Sequence, residues 1–394
     1  MKKVITMVGA SIFENYFEKN CDKTIKNYYD NLKEKREKDW DNEKSRIARL
    51  KNAVKNWIES ESDKKIISAE IKSLVKLKEE LKDDFEIYLL SSDTILSKLA
   101  GEILKDILPQ LINNRRIEAE VISGLQIWDR KEFNTGMSNL ISKIYNIAGG
   151  YWENVIINIT GGYKATIPYL TILAQINRCP IYYIFEDTDA LIKIPIIPID
   201  IKWSIFENNE KFFFELEKDK IKEINEKLKI DPDITSLLEF VDNLYTLNPL
   251  GVALWERYKS NFEFFYISEE VKNYLERNQG RKRIFEKSVC ELKRRLKENP
   301  AHPDLNHSLK NVDLPEGFKT FKHKEEDLQV RILYNDERYN TVYGSVETSV
   351  YIELIAIGSE VHNAESEYVE AFRRYGEKIK NFETYEFYKI KKEV

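Results

Sequence analysis

The sequence has only three cysteines, Cys21, Cys179 and Cys290, widely spaced and without a C-x-x-C pair. That spacing argues against a disulfide framework and against a thiolate metal site. There is no run of about 18 apolar residues, the length a helix needs to span a bilayer. The first strand-like pattern begins within a few residues of Met1, which leaves no room for a signal peptide. The expected location is therefore cytoplasmic, without a membrane. Neither a P-loop, G-x-x-x-x-G-K-[ST], nor a G-x-G-x-x-G fingerprint occurs. Excess charge is small as well. The net value is −5, so bulk electrostatics does not announce a nucleic-acid partner, and any basic site must be local. The four histidines, His302, His307, His323 and His362, all fall near the C-terminus, which hints that the chemistry sits there.

What is present is ordinary for folded protein: 42% hydrophobic, 33% charged and 12% aromatic over 394 residues. Neither a disordered nor a collagenous chain has that composition. The length suits two or three domains of about 100–200 residues each. Residues 3–8 form a short apolar run ending at Gly9, the pattern of a buried parallel strand feeding a loop. Similar runs recur at 85–90, 117–122, 154–159 and 181–185, with helical periods at about 94–112, 132–148 and 164–177. Strand alternating with helix predicts a doubly wound α/β domain over 1–203. The stretch 23–82 has neither glycine nor proline, is heavily charged (Lys33-Glu34-Lys35-Arg36-Glu37-Lys38) and reads as a helical insertion. Its charge run reads as a solvated face.

Residues 204–279 are aromatic-rich and mainly helical in pattern, with a turn expected at Asn248-Pro249-Leu250-Gly251. This suits a helical or winged-helix linker. From 280 to 394 a basic amphipathic helix, Arg283 to Lys297, stops at Asn299-Pro300. Extended segments follow at 318–323, 328–333 and 349–357, and a final helix over about 364–380. Helix first and antiparallel sheet after predicts a small α+β domain.

Three loops fall at the carboxyl ends of the predicted parallel strands, where open α/β sheets bind ligands. They are Gly9-Ala10-Ser11, Ser91-Ser92-Asp93-Thr94 and Thr160-Gly161-Gly162-Tyr163-Lys164-Ala165. Paired glycines at a strand-to-helix junction allow a phosphate close to the backbone. The helix N-terminus and Lys164 add positive charge. Taken alone, the same residues also read as a tight turn and an N-cap. With the charged helical stretch and Ala69-Glu70-Ile71, these motifs resemble the CARF domains of type III CRISPR ancillary proteins, over about 200 residues. The resemblance implies a Rossmann-like homodimer binding cyclic oligoadenylate, cyclic tetra-adenylate above all, across its two-fold axis. Ser11, Ser92, Asp93, Thr94, Thr160, Gly161, Gly162 and Lys164 are its expected contacts.

Residues 281–334 hold 13 Lys/Arg against 9 Asp/Glu. Within them, Lys322 and Lys324 share one face of an extended stretch, and Arg331 follows on the next. Such a cluster suits a phosphodiester and the charge that develops when it is cut. Without paired acids, metal-free scission by the ribose 2′-hydroxyl is the expected chemistry, with a lysine or histidine taking the proton. The series Asn299-Pro300, Leu309-Lys310, Phe321-Lys322-His323-Lys324, Arg331-Ile332-Leu333-Tyr334, Ile355-Ala356-Ile357-Gly358 and Ser366-Glu367-Tyr368-Val369-Glu370-Ala371 is similar to the RelE family of mRNA interferases. That resemblance implies cleavage of mRNA in the ribosomal A site by Lys322, Lys324 and Arg331, with Tyr368 near a late tyrosine. The family often has a basic residue after the glycine. Here Ser359-Glu360 stands there, and His362 is a substitute. No cofactor or metal is expected.

Two rival nucleases fit less well. Arg295 and His302 have the R-x6-H spacing of HEPN ribonucleases, but Pro300 and Pro303 break the helix that motif needs. A metal nuclease would want an acid-x-Lys on a strand, and Glu353 is followed by Leu354-Ile355. The rival of another class is a ligand-controlled winged-helix transcription regulator.

Overall fold

The computed structural model describes residues 1–114, 116–185, 188, 190–224, 226–229, 231–308, 314, 316–362 and 385–392. They divide into two compact units: Met1–Arg257 with Val342–Ser345, and Tyr258–Thr341 with Val346–Val394. The boundary expected at 280 thus falls at 258, and the segment after 203 goes with the first unit up to Arg257. Among the described residues no helix is long and apolar enough to cross a membrane.

The first unit is built on strands β1 (Lys2–Val8), β2 (Phe85–Ser91), β3 (Ile117–Val121), β4 (Val155–Asn158), β5 (Ile181–Ile184) and β6 (Leu191–Ile194). Their order is β3-β2-β1-β4-β5-β6, parallel except for β6, which runs antiparallel to β5. This is the Rossmann-like arrangement, with the direction of winding reversing between β1 and β4. Val4, Ile87, Leu89, Ile157 and Ile181 are at most 1% exposed, as expected of strands covered on both faces.

The stretch 23–82 is not one solvated insertion. It forms three helices, Lys23–Leu32, Trp40–Ser60 and Ala69–Leu81. Leu32, Leu50, Val54, Ile71, Leu74 and Leu77 are fully buried in the same core as β1 and β2, each such side chain contributing roughly 1.5–3 kcal/mol. Helix Ala69–Leu81 is the crossover returning the chain to β2. Ser68 caps it by accepting from the Ile71 N–H, and it stops at Lys82 in a left-handed conformation (φ 54°). Part of the charge run is also tied down. Lys35 pairs with Glu43, Arg36 with Asp93 and Glu132, and Glu37 with Lys98.

Beyond β6 come the short helices Ser204–Glu207, Glu210–Lys218, Glu226–Lys229 and Pro232–Thr235. A hairpin of β7 (Leu238–Val241) and β8 (Leu244–Leu247) and the helix Pro249–Lys259 follow. The turn expected at Asn248 is the start of that helix: Asn248 Oδ1 accepts from the Gly251 N–H at 2.9 Å. Trp255 is fully buried against Phe206, Phe213 and Phe214, and its indole N–H is bound by buried Glu217. The aromatic richness of this segment therefore makes a small core.

The second unit contains β9 (Phe262–Ile267), β10 (Phe318–Glu325), β11 (Leu328–Asn340), β12 (Val346–Ile357) and β13 (Glu386–Lys391), ordered β10-β11-β12-β9-β13. It is a mixed sheet rather than the expected antiparallel one, because β9 pairs parallel to β12. β9 lies in the segment read as linker, and β13 was not anticipated. The helix expected at 364–380, with Tyr368 on it, lies outside the described residues, as does Leu309-Lys310. One face of the sheet carries Phe321, Val330, Ile332, Ile355 and Ile357, packed with Phe285, Val289 and Leu292 of helix Lys282–Glu298. Because side chains alternate, Lys322, Lys324 and Arg331 lie on the opposite face.

Candidate functional site

In the first unit the three loops at the carboxyl ends of β1, β2 and β4 surround a cleft of about 830 Å³. Ser11, Ser92, Thr94, Thr160, Gly161, Gly162 and Lys164 all line it. Its polar groups are held by the strands beneath them. Ser97 Oγ donates to the Val8 carbonyl at 2.8 Å and accepts from the Ser92 N–H at 2.9 Å, which ties β1 to β2. Thr94 caps helix Ile95–Leu111, and its Oγ1 lies 3.3 Å from Ser92 Oγ. Thr160 Oγ1 donates to Asn158 Oδ1 at 2.8 Å and accepts from the Ile184 N–H at 3.1 Å. Lys164 is exposed at the mouth, in the turn before helix Ile167–Asn177.

Asp93 departs from expectation. It is 7% exposed and turns away from the cleft. Its Oδ2 takes Arg36 Nη2 at 2.6 Å and the Gly124 N–H at 2.9 Å. Arg36 Nη1 reaches Glu132 Oε2 at 2.8 Å, and Gln126 Nε2 donates to the same oxygen at 2.7 Å. Asp93 thus clasps the loops after β2 and β3 to the turn that follows helix Lys23–Leu32. Arg36→Ala should lower stability by about 1–3 kcal/mol, since it leaves a buried carboxylate with only part of its partners. Asp93→Asn should do the same, and calorimetric titration should show ligand affinity unchanged within about threefold. A large loss of affinity in a stably folded Asp93→Asn protein would return Asp93 to the site.

The glycines also have a reason that the sequence did not disclose. Gly162 has φ +82°, and a Cβ there would lie 2.5 Å from that of Met7. A Cβ on Gly161 would lie 2.3 Å from Glu70 Oε1. Gly162 is demanded by its positive φ and by Met7 before any ligand arrives, whereas at Gly161 an added Cβ would force the Glu70 side chain to move. Glu70, 1% exposed in the first turn of helix Ala69–Leu81, was not among the expected contacts. Its signal was weak, because an acid in a helix's first turn ordinarily only complements the helix dipole. The cleft wall also includes Ile127 and Trp128, 57% and 50% exposed, and Tyr163 and Tyr183, flat surfaces suited to a base. Burial pushes the Tyr29 hydroxyl at its floor up to about 12, so it stays protonated. Lys33 and Lys164 face Glu14, Glu34 and Glu70 here, so the cleft of one chain is not simply cationic.

In the second unit Lys322 and Arg331 stand directly opposite on β10 and β11, and Lys324 opposite Gln329. The two-residue turn Glu326-Asp327, with φ +48° and +68°, fixes that register. Arg331 is 6% exposed. Its guanidinium donates to the Val330 carbonyl and to Gln329 Oε1, both at 3.0 Å, while Nε has no partner. Lys324 is exposed and paired with Asp327 at 2.8 Å, so it stands apart from the other two. Sequence reasoning passed over His307. Its backbone N–H donates to the Thr320 carbonyl at 2.9 Å, which anchors it beside the β10 edge, opposite a residue two positions from Lys322. Burial, then the charges of Arg331 and Lys322, hold its imidazole below the usual histidine range, against a smaller opposing pull from Asp304.

After Gly358, Glu360 pairs with Arg281 and accepts from the Ile357 N–H at 3.0 Å, so an acid locks the position where the interferase resemblance wanted a base. The side chain of His362 is not among those described. The rival pair is structural. Arg295 is held by Glu291 and Asp304 at 2.7 Å each, and His302 accepts from the Asp304 N–H.

Residues 65–197 match the family model described as CRISPR-associated protein (Cas_APE2256). The match runs from the crossover helix through β6 and takes in Glu70, the Ser92–Thr94 loop and the Gly161-Gly162 loop. Over that third of the chain the sequence is similar to a CRISPR-associated family of the CARF type, which supports a role in CRISPR defence.

Proposed function

We propose that this chain is a cyclic-oligoadenylate-gated endoribonuclease, with the first unit as sensor and a RelE-like second unit that cuts mRNA in the ribosomal A site. The observation that carries the reading is the facing Lys322–Arg331 pair with His307 beside it, in a chain whose other unit has a polar cleft at its sheet's switch point. Arg331 and Lys322 neutralise the phosphodiester and the charge that builds on it. The 2′-hydroxyl attacks the adjacent phosphorus, the 5′-oxygen of the next nucleotide leaves, and neutral His307 accepts the 2′-hydroxyl proton. Among the described residues no second group stands ready to protonate the leaving 5′-oxygen, which takes its proton from water, and the ribosome supplies alignment.

In the sensor, ring phosphates sit over Lys164 and the Gly161-Gly162 loop, and adenines stack on the aromatic wall. The ring of cyclic tetra-adenylate has a two-fold axis that a homodimer can match. Ile192 on edge strand β6, Ile196, Ile197 and Ile199 beyond it, and Phe185 and Ile172 nearby in sequence are all 40% exposed or more. A homodimer formed along that edge covers them, and it brings two clefts together because Ile194 belongs to both edge and cleft.

The test is translation of a defined mRNA by purified ribosomes, with and without cyclic tetra-adenylate, with cut ends mapped. The expected result is ribosome-dependent, ligand-dependent cleavage that leaves a 2′,3′-cyclic or 3′-phosphate and a 5′-hydroxyl. Full-speed cutting of free RNA would overturn the ribosomal part. A shift of duplex DNA without any RNA product would indicate a ligand-controlled regulator instead.

A further inference from the structure

Glu70 is an odd residue for an anion site. Its carboxylate is buried in the cleft wall, where Oε1 accepts from the Gly9 N–H at 2.8 Å and Oε2 from Ser11 Oγ at 3.3 Å. The Gly161 backbone passes so close that a single Cβ would strike Oε1. Two of the cleft's three loops therefore converge on one negative charge. A phosphate beside it is repelled, and a buried carboxylate short of donors is costly. A carboxylate offers about four acceptor positions, of which the described residues use two here, one of them through a long contact.

We propose that Glu70 selects ribose, its carboxylate accepting a hydrogen bond from a 2′-hydroxyl of the bound ring. This rests on the reading of the cleft as a cyclic-oligoadenylate site. Two kinds of donor exist on such a ring, the 2′-hydroxyls and the adenine amines. In a 3′,5′-linked ring each 2′-hydroxyl is on the carbon next to the one bearing a phosphate. With a phosphate over the Gly161-Gly162 loop, whose backbone abuts the Glu70 carboxylate, the hydroxyl on the adjoining carbon is the ring donor nearest that carboxylate, whereas the amine is at the far edge of the base. Glu70 thus turns a repulsion into a filter: the ring binds only when it brings a hydroxyl to offset the carboxylate. The residue is a specificity determinant and takes no part in breaking a bond.

Titration calorimetry on the full chain tests this, with cyclic tetra-adenylate and the same ring lacking all its 2′-hydroxyls. The wild type should prefer the ribose ring by roughly 10–100-fold, the scale of a hydrogen bond to a charged group. Glu70→Ala should remove that preference and bind the deoxy ring at least as tightly as the wild type does. Should Glu70→Ala not fold, Glu70→Gln carries the test, because its neutral amide keeps the shape and should cut the preference to below about fivefold. A purely structural Glu70 would weaken both rings together and leave their ratio unchanged, which overturns the proposal, as would equal binding of both rings by the wild type. Wild-type protein that binds neither ring sinks the sensor reading itself. Tight binding with an unchanged ratio sinks only the role of Glu70.

Discussion

Arg331→Ala is expected to lower ligand-activated, ribosome-dependent mRNA cleavage by about 10²–10⁴-fold, the usual scale for losing one charge-stabilising group. Lys322→Ala should fall in the same range. The two side chains face each other across β10 and β11 and can hold one phosphate between them. Arg331→Lys should rescue little, because a guanidinium already fastened to Val330 and Gln329 presents its remaining N–H in a fixed direction that an ammonium cannot copy. Lys324→Ala should cost less, since that lysine is exposed and paired with Asp327. The pH profile separates His307 from the cations. As a base it must be neutral, and its pKa is held below the ordinary value of 6.5. Activity should therefore rise with pH below 6.5 and be level at neutrality. His307→Gln should lower the plateau and abolish that acid limb. An unchanged limb in the variant would remove His307 from the mechanism.

Lys164→Ala should weaken cyclic tetra-adenylate binding by roughly 10–100-fold and silence activation at matched ligand concentration, in line with a charge-assisted phosphate contact worth about 1.5–3 kcal/mol. Lys164 is exposed, so the fold should survive, and a thermal melt should show it. Gly162 is a poorer probe. Its positive φ and the nearness of Met7 mean that any side chain there distorts the loop, and lost binding would not distinguish contact from collapse. Charge reversal, Lys164→Glu, should be worse than alanine, because Glu14, Glu34 and Glu70 already line the cleft. Calorimetry showing wild-type affinity in Lys164→Ala would remove this loop from the binding site.

The strands of the first unit were legible because parallel strands buried on both faces are short continuous apolar runs, as in Val-Ile-Ile-Asn of β4. β6, Leu-Ile-Lys-Ile, was hidden by the prolines that follow it, and β9, Phe-Glu-Phe-Phe-Tyr-Ile, by aromatics on both of its faces. The loops of the cleft could be placed because strand-to-helix order alone puts them on one edge. Which loop residues face inward could not. Asp93 is claimed by Arg36, 57 positions earlier, and Glu70 is drawn in by Gly9, 61 positions earlier. Local pattern carries no trace of pairings at that distance. That Lys322 and Arg331 share a face was legible because alternation fixes it. That His307 lies beside them was not, because it sits in irregular backbone, where no periodicity reports direction.

The burial of Arg331 also bears on how sturdy the second unit can be. A cation with an unpartnered Nε, kept from water on the sheet face opposite the helix, destabilises the very fold that holds it. Arg331→Met should therefore yield a protein that melts at a higher temperature while cutting nothing. A screen for thermal stability alone would favour such variants and select the activity away. On the proposed nuclease reading, the guanidinium costs the fold stability so that its donors are already aimed before a phosphodiester arrives.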